Sequence, residues 1–152
     1  MTSLISSEAI IPTLKAAGKK QALQEISDRA ASLTGLSARE IYDALLQRER
    51  LGSTGTGEGV AIPHAKLARA SDMFALFARA ARPIEFESID NEPVDLIFAL
   101  IAPETAGADH LKALARLARM LRDPAVKAKL RAARDRDALY AVINEETTSH
   151  AA

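Results

Sequence analysis

The chain has 152 residues, 20 Lys+Arg against 20 Asp+Glu, 48% hydrophobic residues, 4% aromatics and no cysteine. Balanced charge excludes a global field that would steer the protein to nucleic acid or to an anionic membrane, and so few aromatics leave no stacking platform for bases. Without cysteine there are no disulfides, no thiolate nucleophile and no Cys-based zinc site. The sequence also shows no apolar run of the roughly 18 residues a membrane helix needs, and no cationic segment with a long apolar run at its start.

In chain order, residues 9–15 read as a short first strand, which Pro12 confines to a sheet edge. Residues 19–33 carry Leu23, Ile26 and Ala30 at helical spacing, with Gly35 as the stop signal. Ser37 followed by Glu40 forms a capping box, and the helix it opens runs to about Arg50 with Ile41, Leu45 and Leu46 inward. A glycine-rich loop leads to a strand at Val60–Ile62, and Pro63 takes the chain out of the sheet. Two further strands follow, 73–80 and 94–101. The second is nearly continuous in apolar residues and is therefore central and covered on both faces. The connection between them is polar and turns at Asp90-Asn91.

The next helix, 110–121, points Leu111, Leu114, Leu117, Ala118 and Leu121 inward. Asp123-Pro124 ends it, two shorter helices cover 125–132 and 135–143, and residues 144–152 form a frayed tail. Helices, then strands, then helices predict one domain over 1–152, a mixed sheet with helices on its faces and a core spanning about 10–143.

The richest stretch is Gly-Ser-Thr-Gly-Thr-Gly-Glu-Gly-Val-Ala-Ile-Pro-His-Ala-Lys at 52–66. A polar loop rich in backbone N–H donors suits phosphate, and His64 stands at the strand end beside it. One nitrogen of a neutral imidazole is a free nucleophile, so His64 is the candidate phosphoryl acceptor; its alternative role is packing at the strand end. Arg48 falls seven residues from Ile41, on the inward face of its helix. There it either neutralises a transferring phosphoryl group or pairs with a carboxylate. His110 lies in the first turn of its helix, where the dipole favours a neutral ring able to donate to a phosphoryl oxygen; the alternative is a cap over the core.

Ser53 and Thr54 offer hydroxyls to phosphate oxygens or to ordinary turn chemistry, and His150 falls in the polar tail. Neither a P-loop nor a dinucleotide fingerprint is present, and no carboxylate sits at ligand spacing from the histidines, so neither a cofactor nor a metal is expected.

Arg48-Glu49 and the 52–64 block resemble the active-site segment of phosphotransferase-system EIIA domains of the fructose/mannitol/nitrogen-regulatory type. Pro83-Ile84-Glu85-Phe86, the run 90–98 and His110-Leu111-Lys112 resemble the rest of that domain. The similarity extends from about Ile11 to Ile143 and is greatest for the nitrogen-regulatory branch, from which Thr56 and Ala65 depart where isoleucine and glycine are usual.

The resemblance implies a three-layer α/β/α fold around a small mixed sheet. It implies that His64 accepts phosphate, on Nε2, from a phosphohistidine of an HPr/NPr-type carrier, with Arg48 and His110 stabilising the group. It further implies a cytoplasmic protein whose phosphorylation state signals to targets such as potassium-transport proteins or sensor kinases. A sugar-specific EIIA feeding a permease EIIB, or a binding module that never turns phosphate over, are the alternatives. Because protein partners must reach His64, the site is expected to be a shallow depression with an apolar rim.

Overall fold

The computed structural model describes residues 5–149. A six-stranded mixed sheet forms its centre, with strands β1 (Ile10–Leu14), β2 (Gly55–Gly57), β3 (Val60–Ala61), β4 (His64–Leu67), β5 (Phe74–Ile84) and β6 (Val94–Pro103). The spatial order is β1-β5-β6-β3-β2, with β4 also on β6. Helices α1 (Lys19–Thr34) and α2 (Ala38–Arg50) pack together on one face. Helices α3 (Ala108–Arg122), α4 (Pro124–Ala132) and α5 (Arg136–Ser149) form the layer on the other.

β6 is the axis of the sheet. It runs antiparallel to β5 and parallel to β3 and β4, and every residue from Leu96 to Ala102 is buried. A strand with both faces covered has no solvent side on which to place polar residues, which is why its sequence does not alternate. Phe98 faces Phe77 across the ladder with ring centroids 5.2 Å apart, a cross-strand aromatic pair in the core. β1, with Pro12 at its centre, lies at the sheet edge as its sequence predicts.

The helix signals act as read. Gly35 closes α1 at φ 78°, donating to the carbonyl of Ala31, and the Ser37 hydroxyl accepts from the N–H of Glu40 at 3.3 Å. Asp123 caps α4 by accepting from the N–H of Ala125, and Pro124 occupies the first helical position.

Four expectations need correction. Pro63 does not take the chain out of the sheet. β3 and β4 follow β6 in a single register, Val60 opposite Leu96 and His64 opposite Leu100, and the carbonyl of Pro63 still accepts from the N–H of Leu100 at 2.9 Å. Proline removes a donor but keeps its acceptor, so only one side of the ladder is interrupted.

The glycine loop is not free either, since residues 55–57 pair antiparallel with β3. Gly55 is required there because a Cβ would run into the Ser88 side chain. Leu111 is 66% exposed; the buried face of α3 carries His110, Ala113, Leu117, Met120 and Leu121. Consecutive residues are about 100° apart around a helix, so seating His110 inward turns Leu111 away.

Finally, the tail does not fray at Asn144. α5 continues to Ser149, with Thr147 buried and its carbonyl accepting from Arg116 Nη2 at 3.2 Å. His150 lies outside the described residues.

Candidate functional site

Three elements converge at one end of β4. The last turn of α2 delivers Arg48, the start of β4 delivers His64, and the first turn of α3 delivers His110. Arg48 Nε donates to His64 Nε2 at 3.2 Å, and Arg48 Nη1 donates to the carbonyl of Gly52 at 2.8 Å. Among the described residues the partners of Arg48 are thus an imidazole and a carbonyl, not a carboxylate. The rings of His64 and His110 lie 5.6 Å apart at 52°.

The hydrogen bonds of His64 define its tautomer. Nδ1 lies 2.8 Å from the carbonyl of Ile62, which can only accept, so Nδ1 carries the proton. Nε2 then carries the lone pair, in agreement with its accepting from Arg48. Burial is the largest influence lowering the His64 pKa, and the Arg48 charge lowers it too; the bond to Ile62 and the Glu49 carboxylate act in the opposite direction.

His110 is only 6% exposed, and its buried Nε2 has no hydrogen-bond partner among the described residues. Burial first, then the fields of His64 and Lys66, push its pKa down. Both shifts favour the uncharged ring.

The three residues open onto a depression of about 490 Å³, which Ala44, Leu51, Ala65 and Lys66 also line. Its apolar rim includes Leu51, 85% exposed. A half-buried nucleophilic nitrogen, a guanidinium bonded to it and open access form a site that can accept a small anionic group from another protein. Among the described residues no cluster of three or more His, Asp or Glu side chains is arranged to hold a metal ion.

The two hydroxyl residues are placed differently. Ser53 Oγ donates to the carbonyl of Phe86 and accepts from the N–H of Gly55, while Thr54 Oγ1 donates to the carboxylate of Glu49. Several loop N–H groups are also engaged, that of Thr54 by Glu49 and that of Gly52 by the Glu49 carbonyl.

Two residues escaped the sequence argument. Lys66 shares a strand face with His64 because alternate residues of β4 point the same way; a sheet that ends at Pro63 leaves no such alternation to read. Glu49 is a buried carboxylate next to Arg48, and its place four residues after Leu45, on the stripe through Ile41, was the available signal.

Comparison with known proteins gives a consistent picture. The family model for the "phosphoenolpyruvate-dependent sugar phosphotransferase system, EIIA 2" matches residues 3–146. A nitrogen regulatory protein of Bradyrhizobium diazoefficiens is 59% identical over 143 residues, covering 94% of each chain. The fructose-specific EIIABC component of Bacillus subtilis is 34% identical over 146 residues, which is 95% of this chain but 23% of that protein. The crystal structure of the nitrogen regulatory protein IIA-Ntr from Neisseria meningitidis superposes with a TM-score of 0.88 at 31% identity, covering 92% of this chain and 96% of that one. The family model spans nearly all of the described fold, and the chain belongs to the EIIA 2 family of the phosphoenolpyruvate-dependent sugar phosphotransferase system.

Proposed function

We propose that the protein is a phosphohistidine relay of the nitrogen-regulatory type, accepting a phosphoryl group on His64 Nε2 from an HPr/NPr-type carrier. The observation that carries this reading is the hydrogen bonding of His64 at the depression: Nδ1 is engaged by the Ile62 carbonyl, which leaves Nε2 as the accepting nitrogen, held by Arg48. In the transfer, Nε2 attacks phosphorus in line. A new N–P bond forms, the N–P bond of the carrier breaks, and its electron pair returns to the carrier's imidazole. Arg48 turns from Nε2 to the phosphoryl oxygens, whose charge it offsets, and His110 donates to them from its uncharged ring.

Ser53 and Thr54 are proposed as further oxygen ligands. Each would have to turn from its present acceptor, Phe86 or Glu49, to serve. The reading places the protein in the cytoplasm, and among the described residues no helix is long and apolar enough to cross a membrane. Phosphorylation adds a charge of about −1.5 to −2 at the depression, enough to make or abolish docking of regulatory targets such as potassium-transport proteins or sensor kinases.

The test is to incubate the protein with a phosphorylated HPr-type carrier and to measure intact mass. Wild type gains one phosphoryl group and His64→Ala gains none. An unmodified wild type, or equal gain by the variant, overturns the relay and leaves a binding module. The similarity to a fructose-specific component favours a second reading, a sugar-branch EIIA. Rapid loss of the group to a permease EIIB would support that branch, and retention would support the regulatory one.

A further inference from the structure

Glu49 occupies a position where a carboxylate is costly. It continues the inward stripe of α2 after Ile41 and Leu45, and its side chain is 2% exposed. Burial disfavours the charge, and so does the negative end of the helix dipole in the last turn. The charge is offset by Lys19 Nζ at 3.0 Å from the first turn of α1, by the N–H of Thr54 at 3.2 Å from both carboxylate oxygens, and by the Thr54 hydroxyl. Lys19 is itself held, lying 5.1 Å above the Phe86 ring and 3.7 Å from Glu87.

Two chains of hydrogen bonds meet at this residue. In one, the N–H of Gly52 donates to the Glu49 carbonyl, and the Gly52 carbonyl accepts from Arg48. In the other, Thr54 hangs on the carboxylate, the Thr54 carbonyl accepts from the N–H of Ile62 at 3.0 Å, and the Ile62 carbonyl accepts from His64 Nδ1. The first chain sets the guanidinium and the second sets the tautomer and tilt of the imidazole. An apolar residue in place of Glu49 would extend the core stripe and keep the first chain, which uses only the backbone carbonyl, but would lose the anchor of the second.

We infer that Glu49 is a positioning residue for phosphoryl transfer, its carboxylate holding Thr54 and, through Thr54 and Ile62, the His64 ring in register with Arg48. The inference rests on the acceptor role proposed for His64. Its field also reaches that ring, acting against the effect of burial and of Arg48. The charged or titratable groups around His64 are Arg48 and Glu49 on α2, Lys66 on β4 and His110 on α3. Those around Glu49 are Lys19 on α1, with Glu87 behind it, and Lys20 and Arg50 at the neighbouring surface.

The experiment uses the full chain, a phosphorylated HPr-type carrier and NMR titration of the His64 ring. Glu49→Gln keeps the volume and loses the charge. It is expected to slow phosphorylation at saturating carrier about tenfold, with the carrier KM within about twofold, and to lower the His64 pKa. Glu49→Asp keeps the charge but withdraws it from the turn, and is expected to slow transfer while His64 titrates as in wild type.

A purely structural Glu49 would change only the melting temperature, so an E49Q protein with wild-type kcat and wild-type His64 titration overturns the inference. Should E49Q not fold, a wild-type rate in E49D does the same. A wild type that never takes up the phosphoryl group sinks the acceptor reading instead, while the His64 titration still reports on Glu49.

Discussion

Arg48 and Arg131 are matched in setting and opposite in use. Each sits in the last turn of a helix, α2 or α4, and each reaches the segment that contains the glycine turn, β3 and β4. Arg131 is given an anion by the fold: Nε and Nη2 bond the two oxygens of Asp95 at 2.8 and 2.9 Å, and Nη2 also donates to the Glu58 carbonyl. That bidentate partner raises its pKa further. Close by, Lys127 pairs with Glu58 at 2.6 Å. Gly59, at φ 83°, lets the guanidinium approach the backbone where a Cβ would collide with it.

Arg48 is given a neutral imidazole and a carbonyl. Under the proposed relay, the two ends of one short strand segment separate a clamp from an anion site. The fold supplies the carboxylate at one and not at the other, where the carboxylate adjacent in sequence, Glu49, is placed on Thr54 and Lys19.

The largest expected effect falls on the arginine without a carboxylate. Arg48→Ala should slow phosphorylation by a carrier about 100-fold, the scale of losing one preorganised charge stabiliser. Thermal unfolding should barely move, because the side chain is partly exposed and fills no core volume. Rates and melts on the same sample check both halves. An unchanged rate would make Arg48 a second clamp and dissolve the contrast.

His110→Leu comes next, and its two effects have opposite signs. The ring is buried with Nε2 unpartnered, a state that costs on the order of 1 kcal/mol or more. Leucine removes that cost, so denaturant unfolding should show equal or greater stability while phosphorylation slows about tenfold. Lower stability with an unchanged rate would make His110 a core residue.

Arg131→Ala should behave as the mirror image of Arg48→Ala. It loses a bidentate pair that is partly exposed on both sides, which scales the loss down to about 1 kcal/mol, a few degrees of melting temperature for a chain of this size. Phosphorylation per folded molecule should stay at the wild-type rate. A slow Arg131→Ala would mean that the β2–β3 turn transmits strain to His64.

The legibility of the chain follows from what kind of signal each part uses. Caps and stops such as Ser37, Gly35 and Asp123-Pro124 are local chemistry, so the helices could be located from neighbours in sequence. β6 was visible because burial on both faces removes alternation. β2 and β4 were not: they have three and four residues, and they exist because β3 and β6 offer ladders to join, which is a tertiary circumstance. The facing of Leu111 has a related reason, since a leucine stripe predicts an inward face but His110 takes the inward position and Leu111, about 100° further around the helix, is exposed.

At the site, Arg48, His64 and His110 could be named because each is an unusual residue type for its position. Their meeting could not be derived, because it depends on how α3 returns across the sheet. Ser53 and Thr54 show the converse, where the right residue types are occupied by the turn they build.

The smallest effect, and the one that tests the electrostatics most directly, is on pH. Both rings are held below the ordinary histidine value of about 6.5, by burial first, then for His64 by Arg48 and for His110 by His64 and Lys66. A histidine whose pKa falls on folding binds protons less readily folded than unfolded. The protein therefore keeps full stability above about pH 6.5 and loses it gradually as the pH drops from there through the depressed native values. Transfer needs the unprotonated Nε2, so the rate should stay level through neutrality and fall only at more acid pH than a free imidazole would require.

Arg48→Ala removes one of the causes of the depression and should bring that fall back toward neutral pH. Taking the ratio of variant to wild-type rates with the same carrier at each pH cancels the titration of the donor. The ratio should therefore decline further as the solution is acidified. A ratio that stays constant from about pH 8 to 5 would show that the guanidinium does not act on the acceptor ring, and the contrast between the two arginines would then be one of position without charge.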